Sequence, residues 1–351
     1  MITTVIPTYR RPVLLARAIR SVLRQTYQNF QVIVYDNASG DETAAVVADL
    51  QASDARVRYR AQGENIGAQA NFMSALAQID TPYFSMLSDD DVLLPYFYEQ
   101  ALASFRAHPA AVFVASPVML VDERGRVLTV NNRDWPAGLY PAPSAMLRMA
   151  EREHVIWTGT LFKREALAQG SIDPETGMCS DLDLLLRITG RHPIAVAERP
   201  GAVFCVHPDS PSSYPRLSLY WPSWTRIIAN AGRDPLVTPS VSEAVQAGLE
   251  RRLNRFLFLV SIFSSSRGLD DEAREAAAVF RSRDQRPGHA AALSIVAAAY
   301  QRIPGARSLL SAVIGWWRWR RGPVGREQRI LDHVPGLLAL DGAATRKDAA
   351  A

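Results

Sequence analysis

The first 120 residues alternate short apolar runs with amphipathic stretches of helical period, and this feature limits the possible folds more than any other. Strands that alternate with helices predict βαβ units, in which helices cover a parallel sheet. The fold class is therefore α/β. The pattern predicts strands at residues 3–6, 30–35, 57–60 and 83–87, and helices at residues 13–24, 42–51, 68–78 and 96–107.

The remainder of the chain predicts a short mixed region and then a helical one. Beyond residue 215 the sequence is rich in alanine and has almost only helical periodicity. We predict an α/β domain at 1–215, a helical domain at 216–340 and a disordered tail at 341–351. Further expected elements are strands at 155–162, 194–197 and 202–206, a helix at 181–189, and an irregular stretch at 131–143 that covers a site.

Cysteine usage and hydropathy indicate the compartment. The two cysteines, Cys179 and Cys205, are too few for a disulfide framework or for a metal site built from cysteine. The first residues form an apolar strand without the features of a secretory signal. No apolar run reaches the roughly 18 residues that cross a bilayer. We expect a cytoplasmic protein.

Charge is distributed unevenly along the chain. Residues 1–216 carry 20 Lys and Arg against 23 Asp and Glu, whereas residues 217–351 carry 19 against 12. Clustered acids in the first part suggest a cation-dependent site, and the arginine-rich second part suggests an anionic partner. A solvated helical surface is the alternative explanation for the second part.

Polar residues follow three of the predicted strands directly. Ligands of parallel α/β sheets bind at the carboxyl ends of the strands, so these residues predict a binding cleft. Asn65 and Gly67, which precede the third helix, are expected beside it. The residues that follow the strands are Pro7, Thr8, Tyr9 and Arg10 after the first, 36–41 after the second, and 88–91 after the fourth.

Asp89, Asp90 and Asp91 are the most informative group. Three adjacent carboxylates repel one another unless a cation neutralises them. Mg²⁺ or Mn²⁺, held by one or two carboxylates and by diphosphate oxygens, is the usual arrangement. A solvated acidic turn that stabilises the helix starting near Pro95 explains the same residues equally well.

Several motifs, taken in order, resemble the family 2 glycosyltransferases, which have the GT-A fold of nucleotide-diphospho-sugar transferases. The resemblance covers roughly residues 1–215. It implies a mixed, mainly parallel sheet flanked by helices, with a helical C-terminal region. The motifs are VIPTYRR at 5–11, YDNASGDET at 35–43, NIG at 65–67, LSDDD at 87–91, GTLFKREAL at 159–167 and SDLDLLLRI at 180–188.

The resemblance also implies how a nucleotide would bind. Asp36 would accept a hydrogen bond from the base ring. Asp89 or Asp90 would lie nearer the ribose, and Asp91 would be the likeliest direct metal ligand together with Asp89. Ser88 departs from the pattern, because many relatives have an acid there. Pro7, Thr8, Tyr9, Arg10, Asn65 and Gly67 would flank ribose and phosphate.

Three further residues complete the implied site. Asp181 matches the aspartate of the family's Glu-Asp motif and would be the catalytic base, although Ser180 replaces the preceding acid. His207 would bind the metal or a phosphate, and Trp157 would line a sugar pocket. The alternatives are a helix-stabilising aspartate, a structural histidine and a core tryptophan.

The function implied is that of an inverting, metal-dependent glycosyltransferase, of the hexosyl- or deoxyhexosyltransferase class. It would move a sugar from a nucleotide-diphosphate donor, preferably UDP or dTDP, to a hydroxyl of a glycan, glycolipid or other acceptor in cell-surface polysaccharide synthesis. The alternative is a non-catalytic nucleotide-sugar or glycan-binding protein of the same fold. The sequence disfavours a nicotinamide-dependent dehydrogenase, since the first strand is not followed by its glycine-rich turn.

Three tryptophans alternate with arginines at residues 316–321. Such a segment suits a membrane interface, which predicts peripheral attachment to the inner face of the cytoplasmic membrane. A protein contact or domain packing is the alternative. Because no other motif supports nucleic-acid binding, we expect none. A homo-oligomer is a further expectation.

Overall fold

The computed structural model describes residues 1–169, 173–207, 217–233, 237–266, 269–283, 325–334 and 336–339. The strands are β1 (Ile2–Thr8), β2 (Phe30–Asp36), β3 (Val57–Ala61), β4 (Tyr83–Met86), β5 (Val92–Leu93), β6 (Phe113–Ala115), β7 (Val118–Asp122), β8 (Val127–Asn131), β9 (Gly138–Tyr140), β10 (Thr160–Lys163), β11 (Ile194–Val196) and β12 (Ala202–Val206).

The described helices are α1 (Pro12–Leu23), α2 (Thr43–Ser53), α3 (Ala68–Ala77), α4 (Phe97–Ala107), α5 (Ser144–Glu151), α6 (Ser180–Arg191), α7 (Leu217–Ala231), α8 (Pro239–Ser266), α9 (Asp270–Arg283) and α10 (Gly325–Asp332). Two 3₁₀ helices, Arg164–Gln169 and Pro174–Cys179, lie between β10 and α6.

The central sheet has eight strands in the order β3-β2-β1-β4-β10-β6-β11-β9. The strands from β3 to β4 are parallel, and β10 is antiparallel to both of its neighbours. Thr8 pairs with Asp36 at the end of the β1–β2 register, so the ends of these strands meet at one edge. A smaller sheet has the order β5-β12-β7-β8.

The first helix illustrates how the pattern produces the sheet's cover. Pro12 begins α1, where its missing N–H costs no hydrogen bond. Leu15, Ile19 and Val22 recur at helical spacing and are fully buried. They pack in one core with the apolar residues of β1 and β2, which fixes the loop between β1 and α1 at the edge of the sheet.

The helices of the C-terminal region share a core with the first half of the chain. Leu249 and Leu253 of α8 and Trp224 of α7 belong to the same buried cluster as Met146 and Met149 of α5. Further along the chain, α10 packs on the smaller sheet: the Gln328 side chain accepts from Val127 N at 2.9 Å and donates to Gly125 O at 3.1 Å.

The α/β prediction is confirmed, and the eight elements expected in the first 107 residues are present with ends within three residues of those predicted. The strand expected at 155–162 was wrong over 155–159, because β10 begins only after a turn at Gly159, whose φ of +79° suits glycine. The irregular stretch at 131–143 contains β9, and α5 and β5 were not predicted.

The predicted boundary after residue 215, the segment 316–321 and the tail 341–351 lie outside the described residues, so the division into domains stays a prediction. The described helices include none that is both long enough and apolar enough to cross a membrane.

Gly201, between β11 and β12, joins the two sheets. Its N–H donates to Pro117 O at 3.0 Å, and its carbonyl accepts from Leu94 N at 2.9 Å. A Cβ at this position would lie 2.6 Å from the Ser116 Cβ and 2.7 Å from the Phe97 Cδ2. Both neighbours are buried and cannot move freely.

We therefore expect Gly201→Ala to lower the free energy of unfolding by about 1–3 kcal/mol, as overpacking does. Gly63→Ala is the control, because its Cβ would have no neighbour within 4 Å. Urea titrations of both variants measure the difference. Equal stability of the two would show that the contact between the sheets at Gly201 tolerates a methyl group.

Candidate active site

The three aspartates after β4 are buried rather than solvated. Asp89, Asp90 and Asp91 are 6%, 8% and 0% exposed, so the acidic turn is not a solvent-facing loop. Buried carboxylates require partners, because desolvating a charge without compensation is costly. The partners differ between the three residues and separate their roles.

Arg11, directly before α1, neutralises two of the aspartates. Its Nη1 lies 3.2 Å from Asp89 Oδ1 and 2.9 Å from Asp90 Oδ2. The Thr8 hydroxyl donates to the other Asp89 oxygen at 2.8 Å. His207, after β12, places Nε2 at 3.1 Å from Asp90 Oδ2. Asp89 and Asp90 thus share the guanidinium of Arg11 as their cation.

Asp91 has a different environment. The Thr158 hydroxyl donates to Asp91 Oδ2 and the Cys205 N–H donates to Asp91 Oδ1, each at 2.9 Å. With no exposed surface and a protein donor on each oxygen, Asp91 ties the end of β4 to the turn before β10 and to β12. This geometry disfavours Asp91 as the direct metal ligand and favours Asp90.

The electrostatics follow the same division. Burial, and then the charge of Asp90, raise the pKa of Asp89 to about 6. Burial would also raise the pKa of Asp90, but the hydrogen bond with His207 and the charge of Arg11 bring it below its usual value. Burial raises the pKa of Asp91 well above its usual value. Asp90 is therefore the member of the triplet that stays ionised most readily.

Asp90 and His207 are residues of the types that hold a divalent cation. Their carboxylate oxygen and imidazole nitrogen converge, and both are donors that Mn²⁺ and related ions accept. Among the described residues, no three His, Cys, Asp or Glu side chains are grouped to hold a metal. The donor set therefore suits an ion that takes its remaining ligands from diphosphate oxygens and water.

The ends of β1 and β2 lie beside the aspartates, since Thr8 contacts Asp89 and pairs with Asp36. Asp36 is 3% exposed. Its Oδ1 accepts from Ser39 N at 3.0 Å and from Ser39 Oγ at 2.5 Å, and its Oδ2 accepts from the Tyr59 hydroxyl at 2.5 Å. An ionised carboxylate has about four acceptor positions, so one remains for a ligand.

The loops beside Asp36 are connected to one another. The Arg10 backbone N–H donates to Ser39 Oγ at 2.8 Å, and its Nε donates to Ser39 O at 3.0 Å. The guanidinium of Arg10 stacks on Tyr9, whose side chain is partly exposed. Pro7 is the penultimate residue of β1, between these loops and the sheet.

Asn65 and Gly67 shape the third loop. Asn65 Oδ1 accepts from Asn37 Nδ2 at 2.8 Å and from Gly67 N at 2.9 Å. Gly67 has a φ of +84° and open space where a Cβ would lie, so its backbone is accessible before α3. The structure therefore brings the loops after β1, β2 and β3 together, as the sequence predicted.

Asp181 lies in the first turn of α6, where Oδ1 accepts from the Leu182 N–H at 2.7 Å. Asp181 Oδ2 is 3.4 Å from His154 Nε2. Trp157 stacks on Phe72 of α3, with ring centroids 4.3 Å apart, so it is anchored by the core on one face. His154, Trp157 and Thr158 belong to one loop between α5 and β10.

Sequence reasoning missed four residues of this arrangement. Arg11 lies inside the first motif and could have been found as a cation after a strand. Tyr59 belongs to β3 and His154 to the loop before β10, and Arg252 of α8 lies with Nη2 2.6 Å from His154 Nδ1. No spacing in the sequence connects these three residues with the strand ends.

Comparison with known proteins agrees with this geometry. Residues 3–170 match the model described as Glycosyl transferase family 2. Over these residues, just under half of the chain, the sequence matches a family of transferase enzymes, and the resemblance read from its motifs is confirmed.

Two relatives are similar over part of the chain. A GalNAc(5)-diNAcBac-PP-undecaprenol beta-1,3-glucosyltransferase of Campylobacter jejuni is 36% identical over 94 residues, which are 26% of this chain and 30% of the relative. A putative colanic acid biosynthesis glycosyl transferase, WcaA, of Escherichia coli is 26% identical over 188 residues, which are 54% of this chain and 66% of the relative. The matches thus span less than two thirds of either relative.

Solved structures agree on the fold. TarS residues 1–349 from S. aureus superpose with a TM-score of 0.58 at 13% identity, over 81% of this chain and 93% of that one. The mannosyltransferase PcManGT from Pyrobaculum calidifontis, in complex with GDP-Man and Mn²⁺, gives 0.54 at 20% identity, over 88% and 83%. The GT-A fold is confirmed.

The burial of Asp91 gives a test of its role. Thr158→Val removes the donor to a fully buried carboxylate oxygen without changing the side chain's shape. We expect it to lower the free energy of unfolding by about 1–3 kcal/mol, the cost of an unsatisfied buried acceptor. Thr158→Ser, which keeps the hydroxyl, is the matched control in the same urea titration. Wild-type stability of the valine variant would contradict this role of Thr158.

Proposed function

We propose that this protein is an inverting, metal-dependent glycosyltransferase that moves a sugar from a nucleotide diphosphate to an acceptor hydroxyl. The observation that carries the proposal is the buried pair of Asp89 and Asp90, whose oxygens meet the Arg11 guanidinium and, at Asp90, the imidazole of His207. A site of this charge suits a cation together with a diphosphate.

Asp90 and His207 would hold Mn²⁺ or Mg²⁺, with Asp89 near the ion or the ribose. When bound, the ion neutralises the negative charge that develops on the departing diphosphate. The protein's own contribution is to fix the two aspartates: Arg17 Nη2 donates to the Asp90 carbonyl at 2.6 Å, and the Thr8 hydroxyl orients Asp89.

Asp36 would select the base. Its carboxylate only accepts hydrogen bonds, so it requires a ring N–H on the nucleotide. Uracil, thymine and guanine have such a group, whereas adenine and cytosine lack it in a nucleotide. We therefore propose a UDP- or dTDP-sugar as donor, with GDP-sugars as the closest alternative and with ADP- and CDP-sugars excluded.

Asp181 would be the catalytic base. As the acceptor oxygen bonds to the anomeric carbon and the bond from that carbon to the diphosphate breaks, the hydroxyl proton passes to the Asp181 carboxylate. His154 contacts Asp181, and Thr158 contacts Asp91. Because His154 and Thr158 are four residues apart in the chain, their Cα atoms lie at most about 14 Å from each other. This upper limit places the proposed base in the same region of the molecule as the aspartates.

The acceptor would be a glycan or a lipid-linked glycan in cell-surface polysaccharide synthesis. The relatives named above act, by their names, on an undecaprenol-linked glycan and in colanic acid biosynthesis. The tryptophan- and arginine-rich segment 316–321 would hold the protein at a membrane surface, and a homo-oligomer stays a prediction.

Single substitutions separate binding from transfer. Asp90→Asn should abolish the Mn²⁺-dependent part of UDP binding in calorimetry, whereas Asp181→Asn should leave UDP binding intact and slow transfer by about 10²–10⁴-fold. Turnover is measured as the nucleoside diphosphate released from a panel of UDP-, dTDP- and GDP-sugars. Asp134→Asn, at an exposed position, is the control. Full turnover by Asp181→Asn would refute the role of Asp181.

Metal binding should depend on pH through Asp89. Because its pKa is raised to about 6, protons compete with the cation below that pH and not above it. We expect the affinity for Mn²⁺ to fall by up to about tenfold for each pH unit below 6 and to be constant between pH 7 and 8. Titration with Mn²⁺ by electron paramagnetic resonance measures this, and a flat profile between pH 4.5 and 7 would exclude Asp89.

The alternative function is a nucleotide-sugar-binding protein without turnover. The position of Asp181 in the first turn of α6 favours it, since a carboxylate there stabilises the helix through its dipole. Binding of UDP with Mn²⁺, combined with no release of nucleoside diphosphate from any nucleotide sugar in the panel, would support this alternative.

A further inference from the structure

Asp181 is connected to the C-terminal helices through a chain of two side chains. One of its oxygens is fixed by the Leu182 N–H, and the other faces His154 Nε2 at 3.4 Å. This distance is long for a hydrogen bond, as is common in active sites before the substrate binds. Whether His154 Nε2 carries a hydrogen therefore determines the environment of the Asp181 carboxylate, the proposed base.

The contact made by His154 Nδ1 determines whether Nε2 carries a hydrogen. Arg252 Nη2, on α8, lies 2.6 Å from His154 Nδ1. A guanidinium only donates hydrogen bonds, so Nδ1 must offer its lone pair. In a neutral imidazole the proton then resides on Nε2, the nitrogen that faces Asp181.

Arg252 is itself held in a fixed position. Its Nη1 donates to the Met149 carbonyl of α5 at 2.8 Å, and the guanidinium carbon lies 5.3 Å from the centre of the Trp224 ring. Burial lowers the pKa of Arg252 to about 10, which leaves it charged at neutral pH. The orientation of its N–H groups is thus set by α5 and α7, not by solvent.

We propose that Arg252 locks His154 in the tautomer protonated at Nε2, and that this N–H holds the Asp181 carboxylate in position to accept the proton of the acceptor hydroxyl. Both are positioning residues, and the inference rests on the catalytic role proposed for Asp181. It gives the C-terminal helices a part in the reaction, because α8 supplies the residue that sets the histidine.

A purely structural role predicts something different. If Arg252 only anchors α8 to α5 through the Met149 carbonyl, its loss would lower stability but would not change the hydrogen bonding of His154. The tautomer of His154 and the ratio of kcat to donor KM distinguish the two roles, since neither follows from helix packing.

The first test reads the tautomer directly and requires no activity. The full chain is labelled with ¹⁵N-histidine, and long-range ¹H–¹⁵N spectra at neutral pH are compared with those of His154→Gln to identify the His154 signals. We expect a protonated Nε2 and an unprotonated Nδ1 in the wild type. In Arg252→Met, the two tautomers should mix. A protonated Nδ1 in the wild type would overturn the proposal.

The second test is kinetic and uses UDP release from UDP-N-acetylglucosamine and UDP-glucose with Mn²⁺. His154→Ala should lower kcat on the order of 100-fold, the effect of a misplaced catalytic group, with donor KM unchanged. His154→Gln should retain most of the wild-type kcat, because the glutamine amide can accept a hydrogen bond from Arg252 and donate one to Asp181. Arg252→Met should resemble His154→Ala.

Arg251→Met is the matched control, since Arg251 is on the same helix and pairs with Glu151 at the surface. It should retain wild-type kinetics. A wild-type kcat in His154→Ala would overturn the positioning role of Arg252 and His154, while leaving Asp181 as the base. If the wild type released UDP from neither sugar, the proposed donor or function would be at fault, and the spectra would still decide the tautomer.

Discussion

The burial of three consecutive carboxylates at the end of β4 is the constraint on which the rest of the site depends. Asp89, Asp90 and Asp91 are nearly inaccessible, so each must be compensated by a donor or a cation. The donors come from distant parts of the chain: Arg11 before α1, Thr158 before β10, and the backbone of Cys205 in β12. Satisfying the triplet therefore requires both sheets to be assembled, which links the formation of the site to folding.

The same constraint separates three residues that look equivalent in sequence. Asp91 has no accessible surface, and both of its oxygens are bonded within the protein, so it joins structural elements. Asp89 and Asp90 share one cation, and Asp90 also meets His207. Adjacent side chains at a strand end point in different directions. Only their tertiary neighbours determine which of the three aspartates faces the proposed site.

The predictable part of this protein is the part encoded locally. The alternation of apolar runs specified β1 to β4 and α1 to α4, and polar residues after the strands located the cleft, because parallel strand ends meet at one edge. The strand expected at 155–162 was wrong at its beginning for a tertiary reason. His154 faces Asp181, Trp157 stacks on Phe72, and Thr158 donates to Asp91. A continuous strand could not direct these side chains to three different elements.

The connection from Arg252 to Asp181 belongs to the part that no local pattern encodes. Arg252 and His154 are 98 residues apart, and neither belongs to a motif. Their contact arises because α5 and α8 share a buried core, which places Arg252 beside both the Met149 carbonyl and the imidazole. If a helix outside the matched region 3–170 sets the histidine beside the proposed base, the GT-A core alone is not the complete catalytic unit, and the geometry of the base depends on packing between the two halves of the chain.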